Sequence, residues 1–283
     1  MLPNRNQSEA WNGGESAHYV DHADRYDRQL APFTEALLDQ VRLTPHCSVL
    51  DVGCGCGALT LAASSIADSA VGLDISVPLT EVASGRARTA QIDNVEFIVG
   101  DAQTQAFESG TFDLMVSQFG LLFFDDPVGA FSNLRRSLAS DGRLAFVSWQ
   151  ALPANEWLTI VANEVANYVE IPEFGGLAKG PGMFALKDQN ETTTLLESAG
   201  FTDVVFEPLA PTMLIGGGGT VDQSVDFLLG MGMVRGLIGL AGKDHRDEVV
   251  DGVGSSLNER YEPGVGLRFG AGAWLVTGRR LGP

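Results

Sequence analysis

Short apolar runs alternate with amphipathic stretches through the middle of the chain. The runs are "SVLDV" (48–52), "SAVGLD" (69–74), "VEFIVGD" (95–101), "FDLMVS" (112–117) and "GRLAFVSW" (142–149). Short apolar runs bounded by Gly or polar residues are expected of strands buried on both faces. Between them, residues 58–66, 78–90 and 127–139 read as helices. Strands alternating with helices predict a parallel sheet covered on both faces.

The flanks are less regular. Residues 1–15 predict a mobile arm. From Ser16, the positions Tyr19, Ala23, Tyr26 and Leu30 recur at helical spacing, and Asp21–Arg25 and Asp24–Arg28 are i, i+4 pairs on the polar face. Pro32 disfavours helical backbone at Ala31 and predicts a break there. "PFTEALLDQVRL" then restarts a helix with Pro in its first position. After Trp149, residues 155–170 predict a helix, "IPEFGGLAKGPG" a loop, "TTTLLESAGF" a helix stopped by Gly200, and "DVVFEPL" a sixth strand. "GGGG" (216–219) predicts a hinge for the apolar segment that follows it. Thr220 and Gln223 form a capping-box pattern before "VDFLLGMGMVRGLIGLAG". Residues 245–260 predict another helix, and "LRFGAGAWLVTGRR" closes the chain as a final strand.

Composition narrows the partners. The chain has 283 residues, 45% of them hydrophobic, which suits one large α/β domain with its own core. Its net charge of −18 repels a phosphate-rich partner, and the pairs Arg135–Arg136 and Arg279–Arg280 are the only basic patches. Nucleic acid is therefore not expected as a partner. No apolar stretch approaches the ~20 residues of a membrane span, and "MLPNRNQSEAWNGG" has no apolar signal region, so a cytoplasmic protein without membrane attachment is expected. Cys47, Cys54 and Cys56 do not form a disulfide framework and lack companion ligands for a metal, so they read as small side chains in a crowded turn. Lysine occurs only at 179, 187 and 243, and with abundant Gly and Ala this fits a GC-rich bacterial genome.

The turn "GCGCGA" (53–58) is where chemistry enters. Gly53-x-Gly55-x-x-Ala58, with Asp74 downstream, satisfies a dinucleotide fingerprint, which keeps an NAD-dependent oxidoreductase open as an alternative. Three features point to a different ligand. Asp51 ends strand one, where a pyrophosphate gains nothing from an acid. Gly57 makes Gly-x-Gly-x-Gly, a bend that a ligand can approach closely. Asp101 ends strand three, so acids close strands one, two and three along one edge. A ligand with an ammonium, a sulfonium, a ribose diol and an adenine amine suits that edge.

With these motifs the sequence resembles the class I S-adenosylmethionine (SAM)-dependent methyltransferases, small-molecule branch. "VLDVGCGCG", "GLDIS", "GDAQ" and "FDLMVSQFGLLFF" resemble the family's first four motifs, and "LRRSLASDGRLAFVSW" the helix and strand that follow. The likeness covers residues 30–150 well and "LLESAGFTDVVF" and the last strand more loosely. It implies a Rossmann-like α/β fold: a seven-stranded, mostly parallel sheet in the order 3-2-1-4-5-7-6, helices on both faces, an N-terminal helical lid and cap insertions. Residues 1–283 then form a single domain, with arm and lid helices at 1–42, a SAM-binding core at 43–150 and substrate-cap insertions at 151–190 and 211–262.

The resemblance also implies site residues. Asp51 is expected beside the cofactor. Gly53, Gly55 and Gly57 cradle the methionine part, Asp74 accepts from the ribose hydroxyls and Ile75 packs on adenine. Asp101 accepts from the adenine amine, Ala102 N–H meets the ring, and Ser117 and Gln118 lie beside the reacting methyl. Tyr26, Phe119, Leu122 and Trp149 are expected to wall the acceptor pocket. Methyl transfer needs alignment more than acid–base chemistry, so a general base is optional. If one exists, His18 or His22, one helical turn apart, comes first, with Tyr19 or Tyr26 next. His46 and His245 read as structural or solvated. Trp11 and Asn12 are placed to close over the cofactor. The implied activity is methyl transfer to O, N or C of a small, mostly apolar metabolite, by family habit in bacterial secondary metabolism, by a monomer or homodimer without a metal. A non-catalytic SAM-binding protein is the second reading.

Overall fold

The structure, a computed structural model, describes residues 4–174 and 179–282. Part of the segment read as a loop (175–178) and the first three residues of the expected arm lie outside the described residues. The rest of that arm is helical and docked: α1 (Arg5–Trp11) and α2 (Gly14–Asp21) lie over the sheet edge. Polar bonds hold them there. Asn12 Nδ2 donates to Ile75 O (3.0 Å), Val77 N donates to Asn12 Oδ1 (2.9 Å) and Ser76 Oγ donates to Trp11 O (2.6 Å).

The expected break at Pro32 does not occur. Helix α3 (Ala23–Val41) runs through it. Tyr26, Gln29, Phe33, Leu37 and Val41 form one buried stripe on both sides of the proline. Burying Phe33 and Leu37 completely is worth about 2 kcal/mol each, enough to offset the missing N–H. Nor do the expected i, i+4 ion pairs form. Asp24 bonds Arg86 instead (2.6 Å), and Asp27 joins it at 2.9 Å. Arg25 reaches across to the glycine run, donating to Gly216 O (2.9 Å), Gly218 O (3.3 Å) and Gln223 O (3.1 Å). Gly216 N in turn donates to Gln29 Oε1 (2.7 Å). The run at 216–219 is thus clamped to α3 rather than left as a free hinge.

The alternation then follows as read. It runs β1 (Ser48–Val52), α4 (Ala58–Ser64), β2 (Ser69–Asp74), α5 (Val77–Ala90), β3 (Val95–Val99), β4 (Phe112–Gln118), α6 (Pro127–Ser137) and β5 (Leu138–Trp149). Helix α7 (Glu156–Ala166), α8 (Gln189–Ser198) and β6 (Phe201–Leu209) follow. A short strand β7 (Thr212–Leu214) leads to α9 (Val221–Gly230), whose Thr220–Gln223 capping box is formed. The apolar run after it is two helices, not one. Met231 is extended (φ −66°, ψ 136°) and separates α9 from α10 (Gly232–Leu240). Helix α11 (Arg246–Asn258) precedes β8 (Arg268–Gly270) and β9 (Ala273–Arg280). The expected single last strand is therefore split. Its first part pairs with β7 in a separate two-stranded ribbon, and its second enters the main sheet.

That sheet has the order β3-β2-β1-β4-β5-β9-β6, with β9 antiparallel to both neighbours. This is the expected order, β9 being its seventh strand. Five parallel strands deliver their carboxyl ends to one edge, and ligands of open α/β sheets bind at that edge. Cys47, Cys54 and Cys56 are buried free thiols. Among the described residues, no helix is long and apolar enough to cross a membrane.

Candidate active site

The bend after β1 is built around close approach. Gly53 has φ +71°, and a Cβ there would lie 2.5 Å from Gly120 Cα in the loop after β4. Ser117 stitches the same two loops together, donating to Val52 O (2.7 Å) and accepting from Gly120 N (3.2 Å). Ser117 is buried in this role and does not line the cavity described below. Gly57 also departs from its expected place. A Cβ on it would meet Ala83 Cβ and Phe97 Cζ, each at 2.9 Å, so its bareness serves packing against α5 and β3. Gly55, with φ +52° and nothing within 4 Å of a Cβ, is the glycine of the turn that faces open space.

Asp74 organises the edge. Its Oδ2 accepts from Gly55 N (2.8 Å) and its Oδ1 from Ser76 N (2.8 Å). Burial raises its pKa above the ordinary carboxylate value, and these backbone bonds oppose the rise.

Asp51 does not join this edge. It is 1% exposed, lies outside the cavity lining and accepts from Thr60 Oγ1 of α4 at 2.6 Å. The expectation of Asp51 beside a ligand is corrected accordingly: its carboxyl is held by α4 beneath the turn. Burial pushes its pKa up to about 7, with Asp74 adding repulsion and Thr60 opposing. Below the ordinary value of 3.8 folded and unfolded chains both carry the proton. As pH rises from there, the unfolded chain ionises first, so stability falls until the folded group ionises near 7. Asp51→Asn, which keeps an acceptor for Thr60 without the charge, is expected to raise Tm at pH 8 by roughly 5 °C and leave it unchanged at pH 4. Thermal melts at the two pH values check this.

The strand edge opens into a cavity of about 490 Å³. Toward β2 and β3 its lining includes Gly55, Asp74, Ile75, Asp101 and Ala102, covered by Asn4, Gln7 and Trp11 of the N-terminal segment. Toward β4 and β5 it includes Tyr26, Gln118, Phe119, Leu122 and Trp149. Gln118 accepts from Thr34 Oγ1 (2.7 Å) and donates to Leu30 O (3.2 Å), which ties β4 to α3. Phe119 has φ +62°, a strained conformation for a bulky side chain of the sort that clusters at functional sites. Its ring stacks on Trp149 at 3.9 Å with 6° between planes, and Trp157 of α7 meets Trp149 edge-on at 5.9 Å. Trp157, Met183, Met231 and Met233 complete this apolar end. The sequence flagged the insertions that carry them and the apolar run that holds Met231 and Met233, but no local pattern marked Trp157 or Met183.

The basic candidates sit in a stack. Tyr19 and Tyr26 lie ring on ring at 3.9 Å, and both line the cavity. His18 Nδ1 is 2.9 Å from Tyr26 Oη, and the His22 ring meets His18 edge-on at 4.6 Å. Neither histidine lines the cavity, contrary to their placing as first candidates, because the tyrosines of the same helices stand in front of them. Burial, with His22 and Arg235 adding to it, lowers the His18 pKa to about 4. Burial raises Tyr19 to about 12 and Tyr26 further still. Among the described residues, no three His, Cys, Asp or Glu side chains gather as a metal site.

Comparison with known proteins bears on this geometry. Residues 50–146 match a family described as a methyltransferase domain. A demethylmenaquinone methyltransferase of Staphylococcus aureus (strain JH9) is 30% identical over 169 residues, covering 55% of this chain and 68% of that protein. The chain belongs to the class I SAM-dependent methyltransferases. An aklanonic acid methyltransferase of Streptomyces sp. (strain C5) is 35% identical over 103 residues, 35% of this chain and 47% of that protein. The chain spans about half the length of several curated relatives it matches. The crystal structure of the YcgJ protein of Bacillus subtilis shares the fold, with TM-score 0.60 and 18% identity over 89% of this chain and 100% of that one.

SAM is the cofactor of this methyltransferase family, and the residues present fit it. Gly55 offers bare backbone where a side chain would intrude. Each Asp74 oxygen uses one lone pair on a backbone N–H and keeps another for a hydroxyl. Asp101 Oδ1 accepts from Gln103 N (3.0 Å), while its buried Oδ2 has no partner among the described residues. Buried acceptors are rarely left unpaired, so this one is suited to a ligand donor.

Proposed function

We propose that the chain transfers a methyl group from SAM to a small, largely apolar acceptor. What carries this reading is a single cavity whose acid-lined end is continuous with an aromatic one. When bound, the cofactor supplies an electrophilic methyl on a sulfonium. Asp74, Gly55 and Asp101 hold the nucleoside end along β1–β3. Phe119 and Trp149, rigidly stacked, form a flat wall for the acceptor. Trp157 and the methionines exclude water and adapt to its shape. Alignment of the reacting atoms is the main contribution.

Orientation of the Tyr26 hydroxyl follows from its neighbour. His18 is neutral above pH 4 or so, and its Nδ1 holds Tyr26 Oη at 2.9 Å. The hydroxyl so held is placed at the cavity wall to meet a polar group of the acceptor. The histidines act through Tyr26 and do not touch the reacting atoms, which places His18 as a positioning residue. The helices α1–α2 serve as the lid, and the segments 151–190 and 211–262 as the acceptor cap.

The Streptomyces relative named for aklanonic acid supports a small-molecule acceptor, and with it a tailoring step in bacterial secondary metabolism. Incubation with methyl-tritiated SAM and a panel of hydroxylated polycyclic quinones and simple phenols tests the reading. Label is expected in the organic extract for at least one planar acceptor. No extractable label from a chain that still binds S-adenosylhomocysteine (SAH) favours the non-catalytic alternative.

A further inference from the structure

Two buried acceptor atoms at the adenosine end lack partners among the described residues, and they belong to residues that touch each other. They are Asp101 Oδ2 and Asn4 Oδ1. Asn4 Nδ2 donates to Asp101 Oδ1 at 3.4 Å. A carboxylate accepts only, so the amide must present its NH2 group to Asp101, which fixes Oδ1 as the atom left over. Asn4 is 5% exposed and lines the cavity, although it comes from the N-terminal segment, far from the core in sequence. Its backbone is locked as well: φ is +56°, and its carbonyl accepts from Ser8 N at 3.0 Å.

Leaving two buried acceptors unmade is costly. A single group with two N–H donors is the simplest answer to both, since the two free oxygens belong to side chains in contact at 3.4 Å and both residues line the cavity. We propose that Asn4 and Asp101 together grip the exocyclic amino group of the cofactor's adenine, one hydrogen each, so that the N-terminal segment itself reads the base. This rests on the cofactor reading above and extends it to a residue outside the sheet edge. The bonds of Trp11 and Asn12 to the β2–α5 loop hold the segment in the place where it does so. An oxo group in place of the amine faces two acceptors and no donor, so the pair excludes it.

Calorimetric titration of the full chain with SAH and with S-inosylhomocysteine, in which an oxo group replaces the amine, tests this. The wild-type chain is expected to bind SAH at least about 100-fold more tightly than the inosine analogue. Asn4→Ala is expected to weaken SAH about tenfold and leave the analogue unchanged or tighter. Asn12→Ala loosens the same segment without touching the base, and is expected to weaken both ligands equally. If Asn4→Ala leaves the ratio of the two affinities at the wild-type value, Asn4 does not read the amine and the inference is overturned. If the wild-type chain binds no SAH, the cofactor reading fails first and takes this inference with it.

Discussion

Asp74→Ala is expected to weaken SAH binding by about 100-fold or more, as each hydrogen bond to a charged group contributes ~1.5–3 kcal/mol. The carboxylate has two tasks at once. It accepts from Gly55 N and Ser76 N, both at 2.8 Å, and so shapes the turn. It also lines the cavity, and the role proposed for its remaining lone pairs is to accept from the ribose hydroxyls of the cofactor. Alanine leaves two backbone donors unpaired at a site only 9% exposed, which is expected to lower stability by roughly 2 kcal/mol as well. The two effects separate by temperature. Titration well below the midpoint of the variant's thermal melt reads binding alone, and the melt reads stability. Affinity equal to wild type in the folded variant contradicts the role given to Asp74.

Gly53→Ala and Gly55→Ala are expected to fail in opposite ways. Both glycines have positive φ, so each alanine carries a strain of about 1–2 kcal/mol. At Gly53 the new methyl also lies 2.5 Å from the Gly120 backbone, which cannot swing aside as a side chain does. A total loss near 3 kcal/mol or more is expected, a drop in Tm of roughly 6–12 °C. At Gly55 nothing stands within 4 Å, so only the strain is felt in stability. That methyl enters cavity space instead, and SAH affinity is expected to fall about tenfold or more while the melt moves by only a few degrees. Paired melts and titrations of the two variants read this crossing directly. Equal losses of stability in both place the Gly55 methyl against protein rather than in the cavity.

The sheet was legible because its evidence is local. Each of β1 to β5 is a short apolar run closed by a turn, and a period of that kind survives without knowledge of neighbours. Glycines and acids at the strand ends were visible for the same reason. What failed to show is long-range. Pro32 reads as a break until the buried stripe from Tyr26 to Val41 is known to continue on both sides of it. The stretch from Leu267 to Arg280 reads as one strand until Thr212–Leu214 claims its first part as a partner. Asp51 reads as a site residue from its position, yet Thr60 holds it away from the cavity. Asn4 and Trp157 reach the cavity only through tertiary packing, and nothing around them in sequence announces it. His18 and His22 carried the right chemistry for a base, but the stacked tyrosines intervene.

One titration decides whether the cavity at the strand ends holds the cofactor assigned to it. Purified chain is titrated calorimetrically with SAH and, separately, with NAD. One SAH per chain, bound at micromolar concentration with no heat from NAD over the same range, is expected. Absence of SAH binding at high micromolar concentration, or NAD bound in its place, contradicts the assignment of the site.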